Sequence, residues 1–371
     1  MTDAPERLDH RDHGVIDTIE QVTAEWLTGA LRSEGHDVTV ESLTTEPVGT
    51  GQMGCSYRIV PTYGHGGDAL PATFVVKLPA SDPAKRGLAA GIYRTEVAFY
   101  RDLARTVHAG APRCHHSELS SNWNEFVLLM EDLAPRVQGD QITGCTIEQA
   151  EAAVINLAGL HGPRWCDPTL RDLDWIAPVA GDGATMLGLV LRDATNRYVE
   201  RYAGRISDAD LELLDRLPDA VPAWVMARTE RFAPLHGDYR LDNLLFGDPD
   251  GDRPVATVDW QTVTLGLPGR DLAYFLSTGL RSEDRRAHED DLVRTYHEAL
   301  LGYGVEGSGI EGHSLEQCFD DYRFGMLQGP LIGIIGAAYS EPTERGDEMF
   351  LAMSSRFCEA IRDLHTLDLI G

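Results

Sequence analysis

The chain is expected to be an α+β protein of two lobes, a small mostly-β lobe followed by a larger mostly-α one. Two changes of periodicity predict this. Between Val38 and Leu78 apolar and polar residues alternate with a period of two, as half-buried strands do; beyond Met130 the apolar residues recur at helical spacing. A third observation is size: 371 residues with 43% apolar content are enough for two domains, each with its own core, and exclude intrinsic disorder.

In chain order, residues 1–16 are polar. Thr23 to Leu31 reads as a short helix with Trp26, Leu27 and Leu31 on one face. Strands are predicted at Val38–Leu43, Ser56–Val60 and Thr73–Leu78. Glycine-rich connections, Gly49 to Gly54 and Gly64 to Gly67, separate them. Ile92–Leu103 carries the apolar stripe Val97, Tyr100, Leu103 of a helix, and Phe126–Met130 is a buried strand. Helices follow at Thr146–Leu160, Gly188–Tyr202, Asp208–Leu217, Glu289–Leu301, Leu315–Leu327 and Gly346–Leu364, interrupted by short strands at Leu244–Phe246 and Ala256–Val258. The division expected is an N-terminal extension over 1–37, an N-lobe over 38–130 and a C-lobe over 131–371.

Charge narrows the partners. Lys and Arg total 32 against 59 Asp and Glu, a formal net charge of -27. Such a surface repels nucleic-acid phosphates and anionic lipid, and no basic cluster reverses it locally, so neither nucleic acid nor membrane is an expected partner. The six cysteines show no C-x-x-C spacing and read as reduced thiols. No apolar targeting segment opens the chain and no run reaches the length of a membrane span, so a cytoplasmic location is expected. A monomer or homodimer is the expected assembly.

The most informative stretch is His236 to Asp259. His236-Gly237-Asp238-Tyr239-Arg240-Leu241-Asp242-Asn243 precedes an apolar strand, Val255–Val258, which delivers Asp259-Trp260-Gln261. Phosphoryl transfer needs one carboxylate to orient the attacking hydroxyl and oxygen ligands to hold Mg²⁺. Asp238, Asn243 and Asp259 have the types and spacing for those tasks, and such oxygens suit a hard cation.

Other positions allow two readings each. Gly49, Gly51 and Gly54 sit between two strands, so their loop is either a cover for phosphates with exposed backbone N–H groups or an ordinary hairpin. Lys77 lies in an otherwise apolar strand, where an unpaired charge is costly to bury. Glu96 on the next helix is its natural partner, as in kinases, unless Lys77 snorkels from an edge. His236, on an apolar approach, is expected to pack and hydrogen-bond the loop. Arg240 neutralises charge on a moving phosphoryl group, is solvated, or holds the loop through a buried salt bridge to Asp242 or Asp271. Asp271 heads an apolar helix, where it caps the helix or reaches the catalytic loop. Trp123, Trp175, Tyr322 and Tyr339 are core or pocket aromatics.

Taken together, Gly49, Gly51, Gly54, Lys77, Glu96, Asp238, Asn243 and Asp259 occur in kinase order. His-Gly-Asp at 236–238 and Asp-Trp-Gln at 259–261 resemble the aminoglycoside phosphotransferase and choline kinase superfamily. With Asp271-Leu272-Ala273-Tyr274-Phe275-Leu276, the 236–276 block is most similar to the ecdysteroid kinase-like branch. The resemblance spans roughly residues 40–300. It implies a protein-kinase-like fold, ATP bound between the lobes, Mg²⁺ held by Asn243 and Asp259, and Asp238 as catalytic base. It also implies that the segment Met130, Glu131 to Leu133 meets adenine through backbone groups, and that Asp271 braces the catalytic loop. No Ala-Pro-Glu segment follows Asp259, which argues against a protein substrate, and the His-Pro-Gly of aminoglycoside-modifying members is missing.

The function expected is an ATP-dependent kinase transferring the γ-phosphoryl group to a hydroxyl of a small molecule. The alternatives are a catalytically silent nucleotide-binding scaffold and an aminoglycoside-type antibiotic phosphotransferase.

Overall fold

The computed structural model describes residues 15–49, 53–304 and 313–370. The chain forms two compact units, Met1–Val97 with Arg113–Asp132, and Ala98–Pro112 with Leu133–Gly371.

The first unit is built on one antiparallel sheet. Thr23 caps α1 (Ala24–Ser33) by accepting the Trp26 amide. The expected strands follow as β1 (Thr39–Val48), β2 (Gly54–His65) and β3 (Phe74–Pro79). Then come α2 (Pro83–Ala98), β4 (Cys114–Leu119) and β5 (Phe126–Glu131), and the sheet order is β1-β2-β3-β5-β4. Phe74, Val76 and Leu78 alternate onto one face with Ile59, Val127 and Leu129, and bury against Leu27 and Leu31 of α1. Val22, Leu27, Leu31 and Val38 belong to this same core, so residues 15–37 are part of the unit rather than appended to it.

Two sequence expectations here were incomplete. The helix predicted from Ile92 starts nine residues earlier, where the Asp82 carboxylate accepts the Ala84 amide, and its last turn widens into a π-helix over Phe99–Leu103. The edge strand β4 escaped notice because Cys114-His115-His116-Ser117-Glu118 has no apolar alternation.

The second unit is mainly helical. Its strands are short: β6 (Val137–Gln138), β7 (Ala233–Leu235), β8 (Leu244–Phe246), β9 (Val255–Thr257) and β10 (Thr264–Gly266). They form a β6-β8-β9 sheet and a β7-β10 pair. The helices are α3 (Ile147–His161), α4 (Asp182–Arg201), α5 (Asp208–Met226), α6 (Gly269–Gly279), α7 (Ser282–Leu301), α8 (Leu315–Gly325), α9 (Gln328–Tyr339) and α10 (Glu344–Asp363). Thr146, Ser207, Ser314 and Thr343 each cap the helix that follows.

The central element is α6, all of whose 11 residues are buried. Its start meets the end of α8 backbone to backbone. A Cβ on Gly269 would lie 2.5 Å from the Asp321 carbonyl oxygen, and one on Gly325 would lie 2.3 Å from that of Gly269. The predicted helix ends at Leu217, yet α5 runs on through Pro218 and Pro222. The missing Pro222 amide would have bonded the Pro218 carbonyl, and α4 packs over that gap through Gly188. Among the described residues no helix is long and apolar enough to cross a membrane. All six cysteines are free thiols.

Candidate active site

The segment between β7 and β8, residues 236–243, is held by side chains from every direction. Asp271, on the first turn of α6, accepts the amides of His236 (2.6 Å) and Gly237 (3.0 Å). Both donors are buried, and a carboxylate is a strong partner for orphan N–H groups. Gly237 adopts φ +82°, and a Cβ there would sit 2.5 Å from the Thr262 carbonyl oxygen, so glycine is required on both counts. Gln328 donates to the Gly237 carbonyl at 2.8 Å, Thr262 donates to that of His236 at 2.8 Å, and Gln141 accepts the Leu241 amide at 2.8 Å.

His236 is fully buried. Its Nε2 meets the Val258 carbonyl at 3.1 Å and its Nδ1 accepts the Asp238 amide at 3.3 Å. Donating at one nitrogen and accepting at the other is the pattern of a neutral ring that fastens the loop to the strand before Asp259.

Asp238 is the hub of the loop. Its Oδ1 accepts the Tyr274 hydroxyl at 2.8 Å, its Oδ2 accepts Asn243 Nδ2 at 3.0 Å, and Arg240 Nε lies 3.2 Å from both oxygens. Arg240 continues to Asp242 at 3.0 Å, and Arg345 grips Asp242 with two bonds of 2.9 and 3.0 Å. Arg240 is therefore an ion-paired, mostly buried residue and not a solvated one. Burial opposes its charge, but the Asp238 and Asp242 carboxylates outweigh that and hold its pKa above the ordinary value. Burial also opposes charge on Asp242, yet Arg345 and Arg240 prevail and keep it below the usual carboxylate range.

Asn243 and Asp259 are brought together by the β8–β9 ladder. Leu244 pairs with Thr257, and the Val258 amide donates to the Asn243 carbonyl at 2.9 Å. Asp259 follows in the left-handed region (φ 67°, ψ 63°), a conformation uncommon for a residue other than glycine and often kept at functional sites. Trp260 anchors this turn, stacked on Phe99 at 3.9 Å with its Nε1 donating to the Thr257 carbonyl.

Because Asn243 turns its NH₂ toward Asp238, its Oδ1 is the atom left for a cation. Among the described residues no group of three or more His, Cys, Asp or Glu side chains is arranged as a metal cage. An Asn–Asp oxygen pair fits Mg²⁺, which keeps several waters and takes one or two protein ligands alongside phosphate oxygens.

In the first unit, Lys77 Nζ donates to Glu96 Oε1 at 2.7 Å, with side-chain exposures of 11% and 1%. The strand pairs on both sides, Ser56 opposite Lys77 and Lys77 opposite Leu128, so Lys77 is not an edge residue. Gly49 has φ +75° and Gly54 begins β2, whereas Gly51, with Thr50 and Gln52, lies outside the described residues. Tyr93 on α2 donates to the Met53 carbonyl at 2.7 Å and accepts the Ala80 amide at 3.1 Å, which pins the end of the glycine-rich connection. Met130 and Glu131 end β5, where the Glu131 amide donates to the Arg113 carbonyl at 2.8 Å. In the second unit the Leu133 carbonyl accepts the Arg136 amide at 3.0 Å.

Sequence reasoning did not find Tyr274, Gln328, Gln141 or Arg345 as supports of the loop. Only Tyr274 carried a usable signal: it lies three residues after Asp271, on the same face of α6. Of the aromatics noted, Tyr322 is core, Trp175 donates to Asp102 at 2.8 Å, Tyr339 is exposed, and Trp123 lies under the Arg94 guanidinium.

A profile of the phosphotransferase enzyme family matches residues 59–306. An 85-residue stretch is 38% identical to acyl-CoA dehydrogenase family member 10 of Mus musculus, covering 22% of this chain but only 8% of that protein. The chain thus spans a small fraction of that curated relative. Among solved structures it is similar to choline kinase from Cryptosporidium parvum, with a TM-score of 0.56 and 11% identity over 93% of this chain and 97% of the other. It is also similar to an ethanolamine kinase from Plasmodium vivax, with a TM-score of 0.52 and 12% identity over 85% and 82%. These likenesses are of fold: the two-lobed α+β fold of kinase-like phosphotransferases.

Proposed function

The chain belongs to the phosphotransferase enzyme family, and from that premise we infer that it is an ATP-dependent small-molecule kinase with a hydroxyl group as acceptor. One observation carries the reading: the Asp238 carboxylate is held from three sides while the Val258 amide, bonded to the Asn243 carbonyl, delivers Asp259 at the end of the same ladder. A base, two cation ligands and a buried Lys–Glu pair in one chain are the parts phosphoryl transfer requires.

In this reading Asp238 orients the acceptor hydroxyl and takes its proton, with Tyr274 fixing the carboxylate rotamer. Asn243 Oδ1 and the Asp259 carboxylate hold Mg²⁺, which when bound neutralises charge on the phosphates. Lys77, kept straight by Glu96, grips phosphate, and the connection that carries Gly49, Gly51 and Gly54 serves the same purpose. Adenine contacts fall to Met130, Glu131 and Leu133. Arg240 acts first through Asp238, as a positioning residue that also supplies positive charge beside the reacting groups. We place the chain in the ecdysteroid kinase-like branch on the strength of the 236–276 block.

A panel of alcohols, amino alcohols, sugars, sterols, nucleosides and antibiotics, scored for acceptor-dependent ADP release, tests the assignment. At least one class should raise ADP release above the acceptor-free rate. MgATP binding with no acceptor-dependent release anywhere in the panel would favour the silent scaffold instead.

A further inference from the structure

A cleft of about 410 Å³ opens in the second unit between the end of α5, the segment before α4 and the β10–α6 turn. None of Asp238, Asn243 or Asp259 lines it. Its walls are aromatic and aliphatic, with Ile176, Trp224, Phe232, Leu265 and Phe324 among them, and four arginines enter it.

Those arginines divide into two pairs. Arg228 and Arg231 are neutralised, both by Asp321 (2.8 and 2.7 Å) and each by a second carboxylate, Asp320 or Glu230. Arg171 and Arg270 form no ion pair among the described residues. Arg171 lies over the Phe232 ring at 4.4 Å and Arg270 over the Trp224 ring at 4.4 Å. A guanidinium over a ring can still donate N–H groups to a carboxylate or phosphate; in Arg270 Gln328 takes the Nε and Nη2 donors, which leaves Nη1.

Arg270 is the more telling of the two. It is 9% exposed, and among the described residues its Nε and Nη2 bond the Gln328 Oε1, at 3.0 and 2.7 Å. The neighbouring Asp271 spends its carboxylate on the His236 and Gly237 amides. A buried cation without a bonded anion is costly, and burial pushes this guanidinium down to about 10. An anion in the cleft would remove that cost.

We propose that this cleft binds a small organic anion, a carboxylate or phosphate monoester on an apolar body. The pocket has the size and the apolar lining with few polar anchors that small-molecule sites share. The site also touches the catalytic loop from behind. Gln328 accepts from Arg270 through its oxygen and donates through its nitrogen to the Gly237 carbonyl at 2.8 Å. An anion that draws Arg270 toward the cleft therefore pulls on the residue preceding Asp238. This contiguous hydrogen-bonded path links the two sites physically. The inference is independent of the identity of the phosphoryl acceptor.

Titration calorimetry on the full chain at matched ionic strength tests it, with phenyl phosphate, 3-phenylpropionate, 3-phenylpropanamide and inorganic phosphate as probes. One or both organic anions should bind, the neutral amide should not, and inorganic phosphate should bind more weakly than phenyl phosphate. Arg171→Gln, at an exposed position, should melt like the parent and weaken the organic anion at least about tenfold, as loss of a charge-assisted bond does. Arg270→Lys, which keeps the charge and loses the fork, should weaken it as well. Saturation should slow hydrogen exchange of amides in 237–243. Equal binding of the amide, anion binding indifferent to both substitutions, or no binding at all would overturn the site. Unchanged loop exchange at saturation would overturn its link to the loop. The stronger of the two organic anions names the head group.

Discussion

At the scale of single residues, Asp238 is the residue on which the proposed chemistry rests. Its two oxygens are shared among Tyr274, Asn243 and Arg240, so the carboxylate has one orientation and little freedom to leave it. Asp238→Asn keeps the shape and loses the proton acceptor. Turnover should fall by about 10²–10⁴ while MgATP affinity stays within a few-fold, as steady-state kinetics and titration would show. Arg240 now carries a sharper expectation than its sequence allowed. Arg240→Ala leaves Asp238 and Asp242 short of a shared cation, which should cost about 3 kcal/mol of stability and lower turnover roughly 10²-fold. A lysine there restores charge but cannot bridge both carboxylates as the fork does, so it should recover part of each loss. A melting curve that drops while turnover stays at the parent value would end any catalytic share for Arg240. The sequence showed the order of Asp238, Asn243 and Asp259 because all lie within one loop and one strand. It hid Arg345 and Gln328, which reach that loop from about a hundred residues away, because side-chain partners at such separation leave no local pattern.

At the scale of elements, the loop 236–243 depends on backbone that only glycine satisfies. Gly237→Ala forces a Cβ against the Thr262 carbonyl at positive φ. It should cost about 1–3 kcal/mol for the conformation and more for the clash, and reduce turnover even where protein remains folded at low temperature. In the first unit, His115 of β4 is buried edge-on to Phe74 at 5.1 Å, and burial pushes its pKa down to about 4 from 6.5. The unfolded chain takes the proton near 6.5 and the folded one only near 4. Stability is therefore intact above that range and declines as pH falls through it, by at most about 3 kcal/mol. His115→Phe should flatten that part of a melting-temperature profile; an unchanged slope would show that the imidazole is not the group responsible. Elements with strong period, such as α3 and β3, could be read directly. The far half of α5 could not, since Pro218 and Pro222 signal a stop that packing by α4 overrides. Nor could α9, where Gly329, Gly333 and Gly336 interrupt the apolar pattern but admit Phe357 and Phe350 of α10.

At the scale of the whole molecule, the Lys77–Glu96 pair belongs to the first unit, and Asp238, Asn243 and Asp259 belong to the second. The change of period near Met130 made the two-part organisation legible. The pairing of residues 98–112 with the helical unit was not, because it rests on tertiary contacts such as the stacking of Phe99 on Trp260. The most direct test of the phosphotransfer account needs no acceptor: thermal melting of the parent and Asp259→Ala with ATP, with and without Mg²⁺, and with adenosine. Ligand that binds only the folded state adds roughly 2.7 kcal/mol at a hundred times its Kd. The parent should gain stability from ATP chiefly when Mg²⁺ is present. Asp259→Ala should lose that Mg²⁺-dependent gain and keep whatever adenosine gives. An equal Mg²⁺-dependent gain in parent and variant would contradict the account.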